Sequence, residues 1–245
     1  MLSCQCSATS PMTCRGIPDV KRSSFLRKAA SPTAKTYARA KVESGKTPWR
    51  EAHFCVVDLE LSGLDPRSDE IISYGAVPID FGRVVAGNSL YGLCRPTQRL
   101  PEQSILVHGI RMEDLAEAPS LDEAMQSLIA AMSGRVLVAH VAWVERSFLG
   151  PALARQGIRL REPVIDTYEL GQLLARERNE PPAARKLDEL AQSLALPVHQ
   201  QHHALGDALT TAQVFIALAT HLDNSTCETV QSLARAKQRA RTYLG

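Results

Sequence analysis

Aromatic residues are scarce. Phe, Trp and Tyr make up 5% of the 245-residue chain, which leaves little for extended base-stacking platforms. No run of about 18 apolar residues occurs, which excludes a membrane-spanning helix, and no membrane partner is expected. Cysteine is present but not organised. Cys4, Cys6 and Cys14 crowd the amino terminus, while Cys55, Cys94 and Cys227 are scattered and lie mostly in apolar runs. No disulfide framework is expected from that spacing, and a reducing, cytoplasmic compartment is the default. No His stands near the first three cysteines to complete a zinc-type ligand set. Net charge is small too, +2 at pH 7, but the average hides an asymmetry. Residues 1–50 carry ten Lys/Arg against Asp19 and Glu43, a net of +8, and the remainder carries a net of −6. With 44% hydrophobic and 22% charged residues, a packed core is within reach.

Residues 1–50 are rich in Ser, Thr, Pro, Lys and Arg, the composition of a disordered basic arm. The arm shares its Arg/Ser bias with organelle transit peptides. It lacks an evident amphipathic Arg-bearing helix, so a solvated tail is the preferred reading. The body runs over 51–222, and 223–245 reads as a basic C-terminal helix. Phe54–Asp58 and Ile71–Ile79 read as strands, with a third over about 84–94; tight turns join them. Strands at 136–139 and 163–166 then alternate with helices over 122–132, 143–156, 167–178, 186–194 and 203–222. The last helix carries its apolar stripe at Leu205, Leu209, Ala212, Ile216 and Ala219, which turns Asp207 away from the core. This order predicts an α/β fold with a mixed five-stranded sheet: a three-strand antiparallel meander plus two parallel strands, flanked by helices. Ligands of such sheets bind beyond the carboxyl ends of strands, which directs attention past residues 58, 139 and 166.

Asp58 and Glu60 stand two residues apart at the end of the first strand, and so face one side. Paired carboxylates repel unless they share a proton or a cation, and a hard ion such as Mg²⁺ takes such oxygens. After the fourth strand come His140 and Glu145. Glu145 falls in the first turn of a helix, where the helix dipole alone also favours an acid. His202-His203-Ala204-Leu205-Gly206-Asp207 opens the last helix. An imidazole there suits proton transfer near neutral pH, although an idle, solvated His/Gln loop has the same composition. Each signal is weak alone.

Their joint order is specific. Phe54-Cys55-Val56-Val57-Asp58-Leu59-Glu60-Leu61-Ser62-Gly63, the Pro101–Ile110 segment with Val107-His108-Gly109-Ile110, Val138-Ala139-His140 through Leu149, Asp166-Thr167, Lys186-Leu187, and finally His202-x-Ala204-x-x-Asp207 follow one another over about 53–222. In this order they resemble the DEDDh family of 3′→5′ exonucleases, within the ribonuclease H-like superfamily. The resemblance has departures. The family usually has two threonines where Leu61 and Ser62 stand, Asp where Glu145 stands, and Asn and Phe in place of Val141 and Val144.

The resemblance implies metal-dependent hydrolysis of phosphodiesters at the 3′ ends of single-stranded DNA or RNA, releasing nucleoside 5′-monophosphates. Asp58, Glu60 and Asp207 would bind two divalent ions, Mg²⁺ or Mn²⁺, with Glu145 acting directly or through water. His202 would be the general base; His203 competes for that role, but the motif register selects His202. Leu61, Ser62 and Gly63 would hold the terminal nucleotide, and His108 and His140 would sit at the rim or serve the structure. A displacement near 1 Å in such a site can cost about 100-fold in rate. Glu145 therefore raises a second expectation, a weak or degenerate exonuclease-fold protein acting as a nucleic-acid-binding or polymerase-associated module. A hydrolase of small dinucleotides is a third. The short stretch after Leu222 favours a free-standing enzyme over a DNA polymerase subunit.

Overall fold

The computed structural model describes residues 31–223 and 227–242. β1 (His53–Leu61) and β2 (Ile71–Asp80) form an antiparallel pair that sets Asp58 opposite Gly75 and Glu60 opposite Ser73. β3 (Arg83–Val84) and β4 (Leu90–Leu93) pair with the far edge of β2. On the other side of β1, β5 (Val136–Ala139) and β6 (Val164–Asp166) run parallel to it. The α/β class and the mixed sheet are as expected, but the sheet has six strands rather than five. The third strand is split because Pro78 has no N–H to offer its neighbour. The Pro78 carbonyl accepts from Val85 at 2.9 Å, and the chain then leaves the ladder in a 3₁₀ turn, Ala86–Asn88, before rejoining it.

The helices are α1 (Pro32–Arg39), α2 (Glu102–His108), α3 (Leu121–Met132), α4 (Trp143–Arg155), α5 (Thr167–Glu177), α6 (Leu187–Ser193), α7 (Ala204–Asp223), α8 (Val230–Ala234) and α9 (Ala236–Thr242). Among the described residues none is long and apolar enough to cross a membrane. β1 is covered on both faces, which explains its near-continuous apolar run. Phe54 and Val56 enter the layer with α5, α7, α8 and α9, where Phe215 packs on Phe54 at 4.8 Å between ring centroids. Cys55, Val57 and Leu59 enter the opposite layer with α1, α3 and α4. The two-residue alternation carries Asp58 and Glu60 onto the α7 side.

α7 approaches the sheet through small residues. Ala204, Ala208 and Ala212 are fully buried, while Leu205, Leu209 and Ile216 of the expected stripe only flank the core. Gly75 permits this approach, since a Cβ there would lie 2.2 Å from the Ala204 carbonyl oxygen. A glycine inside a strand commonly marks such a close backbone passage. Asp207, one turn into α7, is thereby brought over Asp58.

Both ends of the folded body differ from expectation. The disorder expected over residues 1–50 does not extend to 31–50; residues 1–30, with Cys4, Cys6 and Cys14, lie outside the described residues. Ser31 caps α1 by accepting the Ala34 N–H at 3.1 Å, and Ala34 and Tyr37 are buried. The Arg161 guanidinium donates to the Tyr37, Ala38 and Ala40 carbonyls, which closes the α1 carboxyl end. At the other end, the single basic helix is two helices whose Val230, Leu233, Ala236 and Ala240 enter the core. Trp49 N–H donates to Glu228 O, and Val230 N–H to Thr47 O, both at 3.1 Å. Leu233→Ala should therefore cost about 2–5 kcal/mol and lower the melting temperature by roughly 5–15 °C. An unchanged transition in calorimetry would return α8 to the status of a loose surface element.

Candidate active site

The structure brings three of the expected acids together. Asp58, Glu60 and Asp207 each offer a carboxylate oxygen, and these oxygens lie within 4.8 Å of one another. Asp58 and Glu60 come from the same face of β1, and Asp207 comes from the first turns of α7. Burial pushes all three toward protonation. At Asp58, burial acts first, then Glu145, Asp207 and Glu60, and the acid stands well above the usual carboxylate range. Glu60 is raised to about 7 by burial and then by Asp207. Asp207 is raised by burial, against the pull of the His202 N–H, which donates to its Oδ2 at 2.9 Å. Desolvation together with like charge is the condition that a bound cation relieves.

Glu145 lies outside that trio, although near enough to bear on Asp58. It sits in the first turn of α4, 4% exposed, and its Oε2 has no hydrogen-bond partner. Burial raises it to about 8, with Asp166 adding to the effect. Asp166 fixes the turn that presents it. One oxygen of Asp166 accepts from Val141 N–H and Tyr168 N–H, the other from Ala142 N–H, each at 3.0 Å. This holds Val141 at φ +56°, a region that a β-branched residue rarely enters. Reading the sequence gave Asp166 no such role; the signal for it is an acid closing a strand and opening a helix, an N-cap position.

The histidines separate by what already occupies them. His202 is exposed, at φ +55°, and lines a cleft of about 410 Å³ with Asp58 and Asp207. His203 stacks on Tyr91 with ring centroids 4.4 Å apart and 21° between planes, and its Nδ1 faces the Gly206 N–H at 3.4 Å. His140 lines the same cleft, yet both ring nitrogens are engaged, with Arg185 O at 2.7 Å and Thr167 Oγ1 at 2.9 Å. A carbonyl requires a donor, so Nε2 carries the proton and Nδ1 accepts from the threonine. Burial further disfavours the cationic form of this ring. His108 ends α2, where its Nδ1 accepts from Ile110 N–H at 3.0 Å and its buried Nε2 has no partner. Burial, and then His202, hold the His108 imidazole below its ordinary value.

A second cleft, of about 680 Å³, runs from Glu60 along Leu61, Ser62 and Gly63 to His108 and Val144. Its floor is a stapled loop. Asp69 accepts from Ser62 Oγ–H at 3.1 Å and from Asp65 N–H at 2.8 Å. A Cβ on Gly63 would meet the Asp69 carboxylate at 2.5 Å. A side chain at Gly63 would therefore push the Asp69 carboxylate out of its staple. Neither the Asp69 staple nor the Tyr91–His203 stack had any readable trace in the sequence, since each joins residues far apart or without motif spacing.

Comparison with known proteins agrees with this geometry. A family model described as exonuclease, RNase_T, matches residues 55–215. A DNA polymerase III PolC-type protein from Thermotoga petrophila is 33% identical over 169 residues, covering 69% of this chain and 12% of its own length. A DNA polymerase III subunit epsilon-like protein from Rhodobacter capsulatus is 35% identical over 176 residues, covering 71% of this chain and 24% of its own length. The chain thus spans a small part of these relatives. Among solved structures, exonuclease X in complex with 5′ overhanging duplex DNA superposes with a TM-score of 0.59 at 23% identity, covering 75% of this chain and 99% of that one. The nuclease domain of 3′hExo, a DEDDh family member bound to rAMP, gives 0.58 at 17% identity, covering 75% and 96%. With this match over most of the body, the chain belongs to the exonuclease family, and its fold is shared with solved exonucleases, one of them a DEDDh family member.

Proposed function

We propose that the protein removes nucleotides from the 3′ ends of single-stranded DNA or RNA as nucleoside 5′-monophosphates, using two divalent ions, Mg²⁺ or Mn²⁺. The observation that carries this reading is the trio of carboxylates, Glu60 buried and Asp58 and Asp207 half-buried, with oxygens within 4.8 Å of one another beside an exposed imidazole. The residues suit hard cations: all donors are carboxylate oxygens, and the unpartnered Glu145 Oε2 is a further acceptor at the edge of the group. Asp58, Glu60 and Asp207 would hold the ions, with Glu145 contributing directly or through water. Such ions neutralise charge on the phosphoryl oxygens and make bound water acidic.

The chain's own residues do the rest. His202, exposed at the cleft with Asp58 and Asp207, takes the proton from the attacking water. Asp207 holds the His202 backbone through the N–H contact and so orients the turn. Leu61 and the stapled loop receive the terminal nucleoside in the cleft that Val144 and His108 close. Contacts there are apolar and to backbone, so sequence preference is slight. His140, with both nitrogens engaged, supports the loop before α6 instead of touching substrate. The unpaired thiols of Cys55, Cys94 and Cys227 agree with a cytoplasmic, reducing setting, and the polymerase III relatives support a role in replication or repair beside a polymerase.

The direct test is release of mononucleotide from 3′-labelled DNA and RNA oligomers with Mn²⁺ and with EDTA. Absence of Mn²⁺-dependent release from either polymer overturns the proposal. One observation favours a second reading, a detuned enzyme: Glu145 stands outside the trio. Glu145→Asp shortens the side chain by one methylene, and the expected result is a rate change of about 10-fold or more, since displacements near 1 Å carry about 100-fold. An increase supports detuning, and a decrease supports a site already adapted to Glu.

A further inference from the structure

The first turn of α4 divides the surface three ways. Val144 lines the cleft assigned above to the terminal nucleoside, and Glu145 turns toward the acids. Trp143 and Arg146 line a separate groove of about 320 Å³ with Lys237 and Gln238 of α9. Successive helical residues point about 100° apart, so this fanning follows from the helix itself. The groove begins at Ala142 and Asp166, on the edge of the sheet where β1 also ends. It continues into a smaller cleft of about 220 Å³ with Tyr168, Arg176 and Arg241, the two sharing Glu169 and Lys237.

Trp143 is 48% exposed, and among the described residues no aromatic ring packs on its face. An indole in water beside a groove is a costly placement without an occupant. The groove walls carry Arg146, Arg176, Lys237 and Arg241. Asp166 is committed to its three backbone donors, which leaves Glu169, paired with Lys237 at 2.9 Å. Arg146 is paired with the outlying Glu162. The Arg146–Glu162 pair is exposed on both sides, and such pairs are weak and yield to phosphate; in the other pair Lys237 itself is exposed. An aromatic ring at the head of a cationic groove is the arrangement that tracks a single-stranded backbone and stacks a base.

We propose that the groove between α5 and α9 is the path of the substrate strand on the 5′ side of the cut, with one base stacked on Trp143. The proposal rests on the exonuclease reading for the identity of the strand. It makes the C-terminal helices part of substrate binding, and it makes productive binding depend on length.

The chain has two tryptophans, and Trp49 is 1% exposed, so quenching of intrinsic fluorescence by a ligand reports on Trp143. Hydrolysis-resistant phosphorothioate dodecamers of thymidylate and of uridylate should quench it, while dinucleotides should not. Trp143→Ala should lower kcat/KM for a dodecamer about 5- to 100-fold more than for a dinucleotide, through KM, and Trp143→Phe should restore most of the loss. Lys237→Glu should deepen the length-dependent loss and flatten the salt dependence of binding. Dodecamers that are hydrolysed without quenching, or a Trp143→Ala loss equal for both lengths, overturn the groove assignment and give the surface to another occupant. Release of p-nitrophenol from the p-nitrophenyl ester of thymidine 5′-monophosphate probes the acids alone. Its absence refutes the exonuclease reading, while the quenching titration judges the groove independently.

Discussion

Asp58→Asn should abolish hydrolysis and, in metal-free buffer, raise the melting temperature. The two effects have one origin. Asp58 is held by burial and by Glu145, Asp207 and Glu60 well above the usual carboxylate range, so without a cation it is a destabilising charge. An acid whose equilibrium is raised on folding contributes stability below its unfolded value. That stability is lost as pH rises through the folded one. For Glu60 the window runs from 4.5 to about 7, and for Glu145 from 4.5 to about 8. The metal-free protein should therefore lose stability between about pH 4.5 and 8. A tenfold displacement of one acid is worth about 1.4 kcal/mol, so a loss of a few kcal/mol, or roughly 5–10 °C in melting temperature, is expected across that range. Mn²⁺ should reverse it by mass action. Removing the Asp58 charge leaves less for a cation to relieve, so Mn²⁺ should shift the variant far less. Ion-borne charge neutralisation contributes several kcal/mol to such reactions, so turnover should fall at least about 10³-fold. Scanning calorimetry in EDTA and in Mn²⁺, beside a 3′-end assay, checks both. A variant that is inactive yet less stable without metal would show that Asp58 holds the fold together instead.

His202→Ala should lower kcat by about 10²–10⁴-fold, the usual contribution of a positioned general base, with KM little changed. The backbone N–H that reaches Asp207 survives the substitution, so the acids keep their arrangement. His203→Ala removes the stack on Tyr91 and should cost no more than about 10-fold in rate, with a modest loss of stability of about 0.5–1.5 kcal/mol from the ring pair. Free imidazole should partly restore His202→Ala and leave His203→Ala unaffected. A larger kcat loss in His203→Ala, rescued by imidazole, would transfer the role to that residue.

The parts of the fold that were legible in the sequence are those where local pattern and tertiary environment agree. The run Phe54–Asp58 is a buried strand, and Gly157 follows α4 at φ +76° as a helix-ending glycine should. α1 was not legible because its burial rests on Ala34 and Tyr37 in a background of Lys, Arg and Thr, and because its carboxyl end is closed by Arg161, more than 120 residues away. The stripe of α7 is half right: Ala212 and Ala219 are buried as expected, but Leu205, Leu209 and Ile216 flank the core, and the small Ala204 and Ala208 lie buried where size gives no signal. The acids show the same division. Asp58, Glu60 and Asp207 could be picked out by order along the chain, but their meeting depends on Gly75. The outlying position of Glu145 depends on the Asp166 cradle, which no spacing rule describes.

The backbone crossing at Gly75 also governs when the three acids can meet. Asp58 faces Asp207 only once Ala204 has settled against β2, and α7 leaves the ribosome after every strand of the sheet. The meeting of the acids thus requires α7 docked on β2 at Gly75, so a chain in which that contact is open would lack the assembled site.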